Sequence, residues 1–399
     1  MICQASNRFP FHPQRWRLFS CRLVFLCLAA GLFFPCSRTF GQPDNRAFYS
    51  VKEDTLQAGE FWMELDHFSF LKNNEYFQEL VDGYTLFGSQ WMPRAKWQAH
   101  PRLRLEAGAF FRRDFGANAK EQLQPMLTAR VMLNRHQLLF GNLDGGLAHR
   151  LLEPLYDFEN QIGRRMELGF QWKYADPRWV HDVWVDWRTM IYPQSPVQEE
   201  IVGGWNLEPL LLKKGHSRIS LSLQGTVYHK GGQLDTVSVP LQTLYQAGLG
   251  IKGDWVVSEE GFIRELGCQV FGIGYKDGSP TPVAGLKKES FSPYVNLSLK
   301  TRFGTLMGSY WNSSEFRSYQ GGGLFQTVST RFNSAGRRFG DREMLLIRYL
   351  QDWKLGPDIW ITVRAEPIFD LKNKKWEFSH GLYFNFRGKI WKTRLPSNI

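Results

Sequence analysis

Long apolar runs are scarce in this sequence of 399 residues, which is 43% hydrophobic and 22% charged and has a mean hydropathy of -0.35. The one long run, residues 23–35, lies near the N-terminus. A polytopic helical membrane protein needs repeated stretches of about 20 nearly uncharged residues. The sequence therefore excludes that class. Disorder is excluded as well, because 31 Phe, 15 Trp and 14 Tyr supply large apolar groups that disordered chains lack.

Acidic residues are absent from the first 41 residues, which carry arginines before the apolar run and small or polar residues after it. This pattern predicts a cleavable export signal over residues 1–41, followed by a single domain over residues 42–399. Acylation of Cys36 and an uncleaved anchor are the alternatives. Cysteine is scarce too: beyond residue 41 only Cys268 remains, so no internal disulfide is expected to stabilise the exported chain.

A dense basic tail is also missing, although the formal net charge of the whole sequence is +11. Removal of residues 1–41 takes away basic residues and no acidic ones, so the exported chain is only modestly basic. An exported protein with dispersed charge is a poor match for nucleic acid. We therefore expect no nucleic-acid partner.

Helical periodicity is not found beyond residue 45, where apolar and polar residues instead alternate with a period of two. Such alternation indicates β-strands with one apolar and one polar face. Gly, Pro, Asn and Asp stand between the segments, where the chain must turn. Longer irregular stretches occur at residues 148–161 and 314–341. The clearest alternating segments are residues 103–109, 166–174, 219–224, 359–366 and 376–387.

Two architectures are compatible with many alternating strands: a soluble sandwich and a closed transmembrane barrel. Several segments alternate over 9 to 12 residues, near the roughly 9–11 that cross a bilayer at a tilt. At about 22 residues per strand, residues 42–399 predict an all-β, closed antiparallel barrel of about 16 strands, within a range of 14–18. Aromatic residues at predicted strand ends are typical of barrel girdles: Trp172, Tyr174, Trp184, Trp187, Trp353, Trp376 and Trp391.

The sequence resembles Gram-negative outer-membrane β-barrels, in particular poorly characterised porin-like barrels of the Bacteroidota type. The resemblance is carried by residues 140–146, followed by residues 152–157, and by the export signal that ends near Gln42. It implies location in the cell outer membrane, with outer-membrane lipid and the barrel-insertion machinery as partners. One departure is that residues 387–399 follow Phe386, whereas such barrels usually end on an aromatic residue.

The polar faces of the predicted strands carry charged residues that we expect to line a lumen. Basic residues outnumber acidic ones in this set, which predicts a pore biased toward anions. The alternative is that opposite charges pair and fill a closed barrel, for example Arg104 with Glu106 and Arg364 with Glu366. The predicted lumen-lining residues are Arg104, Glu106, Arg130, Glu167, Lys173, Asp186, Arg188, Lys252, Lys300, Arg348, Arg364, Glu366 and Arg387, with Arg102, Arg165 and Glu377 on the same phase.

Two polar clusters are candidate sites of other kinds. Residues 73–75, followed by residues 78–79, supply amides and carboxylates that suit a hard cation. His149 near Glu153, Asp157 and Glu159 has the composition of a metal or acid–base site. A polar surface loop explains either cluster equally well.

No serine–histidine pairing, phosphate loop, dinucleotide motif or zinc pattern is evident. We therefore predict a protein that is not an enzyme, has no cofactor or metal, and passes small hydrophilic solutes by passive diffusion. One alternative is a barrel enzyme or envelope-assembly component whose lumen is plugged by side chains. The other is a soluble, secreted all-β binding protein.

Overall fold

The computed structural model describes residues 57–118, 121–232, 234–282 and 287–394. The predicted export signal, residues 1–41, lies outside the described residues. Within them, no helix is long and apolar enough to cross a membrane.

Sixteen antiparallel strands form one closed barrel, in which each strand pairs with its neighbours in sequence and β1 pairs with β16. This confirms the predicted fold and strand number. Closure leaves no unpaired strand edge, which a lipid environment would not tolerate. The strands are β1 (Glu60–Glu75), β2 (Tyr84–His100), β3 (Leu103–Asp114), β4 (Gln122–Leu133), β5 (His136–Asn142), β6 (Leu168–Ala175), β7 (Trp179–Thr189), β8 (Glu200–Lys214), β9 (Ser217–Lys230), β10 (Gln242–Val256), β11 (Ile263–Asp277), β12 (Glu289–Thr301), β13 (Gly304–Ser314), β14 (Asp341–Gly356), β15 (Ile359–Asp370) and β16 (Lys375–Arg394).

The apolar faces of the strands point out of the barrel. On β10, Tyr245, Leu249 and Ile251 are exposed, whereas Gln246 and Lys252 on the opposite phase are buried. A soluble sandwich would show the reverse, since it would bury the apolar phase between two sheets. The exposed apolar phase therefore fits a surface that contacts lipid.

Strand β16 does not end at Phe386 but continues to Arg394, which pairs with Glu60 at the start of β1. The residues that depart from the usual barrel ending therefore extend the closing strand as far as Arg394. Because the residues after Phe386 pair with β1, the chain continues as a strand beyond the point where the alternation ends.

One end of the barrel carries short turns and the other carries longer loops. In outer-membrane barrels the longer loops face the outside of the cell. Two of these loops are long: L3, residues 143–167 between β5 and β6, and L7, residues 315–340 between β13 and β14. L3 contains a 3₁₀ turn, Gly146–His149, and one helical turn, α1 (Asn160–Gly163). These two loops correspond to the longest irregular stretches in the sequence.

Strand β6 begins at Leu168, so the predicted strand at residues 166–174 starts two residues too early. Met166 packs with the buried Met92, Phe110 and Met126 instead of continuing the outward apolar phase. The alternation extends past the true strand because L3 turns into the barrel just before β6 begins.

L3 and L7 pack directly against each other. The Asp157 amide donates to the Gln320 carbonyl at 2.8 Å, and the Ser318 hydroxyl donates to the Pro154 carbonyl at 2.6 Å. A Cβ at Gly321 would lie 2.1 Å from the same Pro154 carbonyl oxygen. Glycine at position 321 therefore permits a contact between the loops that a larger residue would push apart.

The substitution Gly321→Ala is expected to separate L3 from L7 and to destabilise their packing by about 1–3 kcal/mol, the usual effect of overpacking. Limited proteolysis of the detergent-solubilised protein should then cleave L3 or L7 faster than in the unmodified protein. Gly308→Ala is the matched control, because a Cβ at Gly308 meets nothing within 4 Å. Equal cleavage rates in the two variants would contradict the assigned role of Gly321.

Candidate functional site

L3 folds into the barrel and is bonded to well-separated strands of its wall. Asp144, at the start of L3, accepts hydrogen bonds from Arg130 of β4 at 2.8 Å. Further along, Glu153 lies 3.3 Å from the Arg364 guanidinium of β15. L3 leucines reach a cluster of buried side chains from β10 and β11. One loop therefore crosses the lumen and obstructs it.

A cavity of about 630 Å³ remains between L3, L7 and the inner faces of the barrel wall. Its lining mixes cationic, anionic and aromatic side chains, so it suits a ligand with polar groups of both signs or a polar reaction. The charged residues that line it are Lys72, Glu153, Asp157, Glu159, Arg164, Arg317, Arg348, Arg364 and Glu366.

Two carboxylates of L3, Asp157 and Glu159, lie side by side at this cavity. The Glu159 amide donates to Asp157 Oδ1 at 3.2 Å. Glu159 in turn accepts a hydrogen bond from the Asn74 amide at 2.5 Å and another from the Tyr84 hydroxyl. The candidate cluster at residues 73–75 and the acidic part of the His149 cluster thus meet at one place, although they are far apart in sequence.

Burial, together with the negative charge of Glu159, raises the pKa of Asp157 to about 7. A carboxyl group with such a pKa exchanges protons near neutral pH, as a general acid or base requires. A pair of close carboxylates is a common arrangement for this chemistry.

A fixed positive charge stands next to the carboxylate pair. Lys72 Nζ donates to the Ser379 hydroxyl at 2.8 Å and lies 3.6 Å from Glu159 and 3.8 Å from Glu366. Between two carboxylates the lysine is best stabilised as an ammonium ion, which can stabilise a developing negative charge but cannot serve as a base. Neither Lys72 nor Ser379 was predicted as a site residue. Both lie on inward-facing positions, Lys72 on the first strand of the barrel and Ser379 on the last.

His149 is separated from Asp157 and Glu159 and has other partners. Its Nε2 lies 2.7 Å from Glu167, its Nδ1 lies 2.8 Å from Asp182, and its ring stacks on Trp184 at 3.6 Å. Burial acts to lower the pKa of His149, but the two carboxylates outweigh it and raise the pKa to about 10. With both nitrogens occupied, His149 anchors L3 to β7 and is not placed to act as a base.

The stacking of His149 on Trp184 also corrects the prediction that Trp184 belongs to an aromatic girdle. Trp184 is 1% exposed and faces inward from the middle of β7, where it covers His149. The alternation of β7 predicts this orientation, since Asp182 and Asp186 share the phase of Trp184. The neighbouring Trp187 is exposed on the outer face, as expected for a girdle residue.

The structure places the predicted lumen-lining residues on the inward phase of their strands, with three exceptions. Glu167 and Arg165 lie in L3, and Arg102 lies in the turn between β2 and β3. Most of the predicted residues form ion pairs with one another or with L3. The pair Arg364–Glu366 is made at 2.6 Å, whereas the Arg104 guanidinium donates to Gln98 at 3.2 Å. Further contacts are Arg130–Glu106, Lys173–Asp144, Arg188–Asp186, Lys252–Glu208, Lys300–Glu265, Arg348–Glu366 and Arg387–Asp66.

Several acidic partners in these pairs were not among the predicted residues: Asp66, Asp144, Glu208 and Glu265. Asp66, for example, binds Arg387 of β16 at 2.6 Å and Arg165 of L3 at 2.9 Å. The excess of positive charge in the predicted set is therefore offset inside the barrel. The alternation of β1, β8 and β11 puts Asp66, Glu208 and Glu265 on the inward phase, so these three residues could have been predicted from the sequence. Asp144 could not, because it lies in a loop.

Among the residues that the structure describes, no group of three or more His, Cys, Asp or Glu side chains is arranged to hold a metal ion. The Glu159 carboxylate instead accepts hydrogen bonds from Asn74 and Tyr84, and the Glu75 carboxylate accepts one from Asn73.

The closed barrel with an apolar outer face defines this chain as an outer-membrane β-barrel protein, which excludes the soluble alternative. Solved structures of this class are similar to it at a low level. They include OccK2 (OpdF) of Pseudomonas aeruginosa in complex with glucuronate, at 8% identity and a TM-score of 0.49, covering 83% of this chain and 98% of that one. A loop L8 deletion mutant of OmpT of Vibrio cholerae has 9% identity and a TM-score of 0.48, covering 83% and 100%. Similarity at this level carries no inference about function.

The model of the lipid A 3′-O-deacylase-type family matches residues 52–394, and the chain therefore belongs to that family. A search among curated proteins finds no match. The family is named for an enzymatic activity, so the prediction that the protein is not an enzyme is wrong. That prediction relied on the absence of a familiar motif, but the residues at the cavity come together only in the folded chain.

Replacing His149 with Leu is expected to destabilise the protein by about 3–5 kcal/mol, because Glu167 and Asp182 would remain buried without a positive partner. Urea unfolding in detergent, followed by tryptophan fluorescence, measures this effect. His216→Leu, in a short turn at the opposite end of the barrel, is the control. A loss below about 1 kcal/mol in the His149 variant would contradict the role of anchor.

The same anchor predicts a pH dependence. Because the pKa of folded His149 is raised above its ordinary value of 6.5, its stabilisation is complete below about pH 6.5 and is lost as the pH rises through about 10. Hydrogen exchange of L3 amides, corrected for the intrinsic rate, should therefore accelerate between these pH values. The His149→Leu variant should lack this pH-dependent step.

Proposed function

We propose that this protein is an outer-membrane hydrolase that removes an ester-linked acyl chain from a glycolipid of the lipid A class, with the L3 cavity as its reaction site. Membership of the deacylase-type family supports the substrate class. The assignment to the cavity depends on one observation: Asp157 and Glu159 stand together beside the Lys72 ammonium, in a space large enough for part of a sugar headgroup.

In this reaction Asp157 is the general base. It takes a proton from a water molecule as the water oxygen attacks the ester carbonyl, and Lys72 stabilises the negative oxygen that forms. The ester C–O bond then breaks, and the proton on Asp157 passes to the leaving sugar oxygen. The products are a free fatty acid and a lipid with one acyl chain fewer.

An apolar rim beside the cavity supports a lipid substrate. Phe77, Tyr84 and Phe87, at the end of the β1–β2 hairpin, are 59%, 40% and 50% exposed. Tyr84 also lines the cavity and donates a hydrogen bond to Glu159. Acyl chains could therefore lie on the rim while the polar headgroup enters the cavity.

The substitution Asp157→Asn is expected to reduce deacylation by at least about 10²-fold, because an amide cannot take the proton from water. The assay incubates the purified full chain with lipid A in detergent and detects loss of one acyl chain by mass spectrometry. Asp235→Asn, at a loop aspartate away from the cavity, is the matched control and should retain activity. For the unmodified protein the rate should rise as the pH increases through about 7, where Asp157 becomes a carboxylate.

Retained activity in Asp157→Asn, with the protein folded, would exclude Asp157 as the base. Absence of deacylation by the unmodified protein, under conditions in which L3 is intact by limited proteolysis, would contradict the proposed reaction itself.

A second candidate is the passive diffusion of small hydrophilic solutes, which the 16-strand closure and the cavity favour. Barrels of this size can hold an aqueous channel. L3 and L7 narrow the path, so only small solutes would pass, and the acidic partners inside the barrel weaken a preference for anions. This function is compatible with an enzymatic site at the cavity.

Planar-bilayer recording tests the second candidate through Glu153, which ties L3 to Arg348 and Arg364. Glu153→Ala should release L3 and leave two cations without this partner, so conductance and anion selectivity should both increase. Glu121→Ala, at an exposed loop position, is the control. If neither the unmodified protein nor Glu153→Ala conducts, the diffusion function is excluded.

A further inference from the structure

Two histidines stand among aromatic residues on the outer wall, at the end of the barrel that carries the short turns. His136 of β5, Tyr174 of β6 and His181 of β7 are neighbours in register. The Tyr174 ring lies 4.7 Å from the His136 ring and 5.7 Å from the His181 ring. Asp182, next to His181, is buried inside the barrel, so this row of rings faces outward. The short turns place the row on the periplasmic side of the membrane.

Two tryptophans determine which nitrogen of each imidazole carries the proton. Trp172 Nε1 donates to His136 Nδ1 at 3.1 Å, and Trp179 Nε1 donates to His181 Nδ1 at 3.4 Å. An indole N–H can only donate, so each Nδ1 must accept with its lone pair. The proton of each ring therefore lies on Nε2, which becomes a donor. Such a donor suits a ligand oxygen and does not suit a metal ion.

Neither of these Nε2 donors has an acceptor among the residues that the structure describes. His181 Nε2 is buried beside Trp172, whose ring meets the imidazole edge to face at 4.3 Å. The ring of His136 makes only the hydrogen bond from Trp172. Because His136 is partly exposed, it is the imidazole that a ligand from outside can reach. An ionisable side chain that faces a membrane is unfavourable without a partner and commonly marks a functional site.

A positive charge stands beside the row of rings. Asp176 Oδ2 accepts hydrogen bonds from the Tyr174 hydroxyl at 2.8 Å and from the Arg135 guanidinium at 3.0 Å. One carboxylate oxygen therefore holds the guanidinium next to the Tyr174 ring. The Arg135 side chain is 60% exposed, so its other N–H groups remain accessible. Arg178 is exposed in the same turn as Asp176, and the local charge is therefore positive.

The position of these residues matches the headgroup region of the periplasmic leaflet. Trp172 and Trp179 are 38% and 42% exposed, as expected for aromatic residues at a membrane interface. Toward the membrane centre, Phe140 and Val183 are exposed on the same outward phase. A molecule that fits this surface therefore carries an anionic, oxygen-rich group at the level of the turns and apolar chains beyond it.

We propose that His136 and Arg135 form a binding site for the phosphate group of a phospholipid in the periplasmic leaflet. One phosphate oxygen accepts a hydrogen bond from His136 Nε2, and the exposed N–H groups of Arg135 form a charge-assisted contact with the same phosphate. The acyl chains lie against β5 and β6, which are only seven and eight residues long. The lipid thereby covers the part of the wall with the shortest strands. This site is separate from the L3 cavity and does not depend on the proposed reaction.

A phosphatidylethanolamine probe with a photoreactive diazirine near the glycerol end of one acyl chain tests the site. The purified, delipidated full chain is irradiated with the probe in detergent, and the labelled peptide is identified by mass spectrometry. Saturable labelling is expected on residues 134–140 or 172–183. Arg135→Gln and His136→Phe should each raise the half-saturating probe concentration by at least about 10-fold, the usual effect of losing a hydrogen bond to a charged group. His136→Phe keeps a ring against Tyr174, and folding of both variants is checked by resistance to trypsin.

Matched controls separate this site from other parts of the surface. Arg302→Gln changes an exposed arginine in another short turn, and His229→Phe changes an outward-facing histidine near the opposite end of the barrel. Both variants should be labelled like the unmodified protein. Asp157→Asn should also be labelled normally, so failure of the cavity proposal and failure of this one are distinguishable. Labelling confined to other peptides, or unchanged in the folded Arg135→Gln and His136→Phe variants, would overturn the proposal.

Two further probes test whether the ligand is a phospholipid. A diacylglycerol with the same diazirine chain lacks the phosphate and should label this region at least about 10-fold more weakly. Glycerophosphoethanolamine lacks the acyl chains and should not compete with the lipid probe at an equal concentration. Equal labelling by the diacylglycerol would reduce the site to an apolar belt and overturn the proposal. Full competition by glycerophosphoethanolamine would also overturn it, because the ligand would then be a soluble phosphate ester.

Discussion

Neutralisation of charge inside a closed barrel is the constraint on which the rest of this structure depends. Once L3 crosses the lumen, charged side chains on the inner wall lose most of their water and must pair. Arg130 finds Asp144 in L3, and Arg348 and Arg364 find Glu153. The loop is therefore attached to the wall by opposite charges around its length, and the lumen is an ionic core instead of an open pore.

The cavity is the place where this pairing is incomplete. Asp157 is buried, and its neighbour is a carboxylate, Glu159, where most inward acids have a cation. An ordinary structural carboxylate is stabilised in its ionised form by a partner; here the geometry favours uptake of a proton. Departures from the pairing rule are expected at functional sites, where such strain has a use. The environment of Asp157 therefore supports the proposal that the cavity is the reaction site.

The architecture could be predicted from the sequence because the strands of a barrel wall are specified by local alternation of apolar and polar residues. Period-two alternation at β10 or β15 fixes which side chains meet lipid, and the chain length then fixes the number of strands. The site was less accessible to this reasoning. Asn74 and Glu159 were each noticed as polar residues, but they are joined only because L3 turns inward, which depends on contacts such as Asp144 with Arg130 that alternation does not encode. Trp184 was misplaced for a different reason: it was assigned to a girdle from its place among the aromatic residues at predicted strand ends, although the alternation of β7 puts it on the inward phase with Asp182 and Asp186.

The outer wall is subject to a similar constraint, although it faces lipid. Inside, a charge needs an opposite charge. Outside, a polar group in lipid needs a hydrogen bond, and Ser69 makes one with His67. The inner wall uses paired charges to hold L3, whereas the outer wall pairs a hydroxyl and an imidazole with each other and leaves apolar side chains to face lipid. A barrel filled by its own loop has no wide lumen through which to act on large substrates. The deacylation proposed above then requires a site that a lipid can reach, and the cavity meets this requirement at the rim beside β1 and β2.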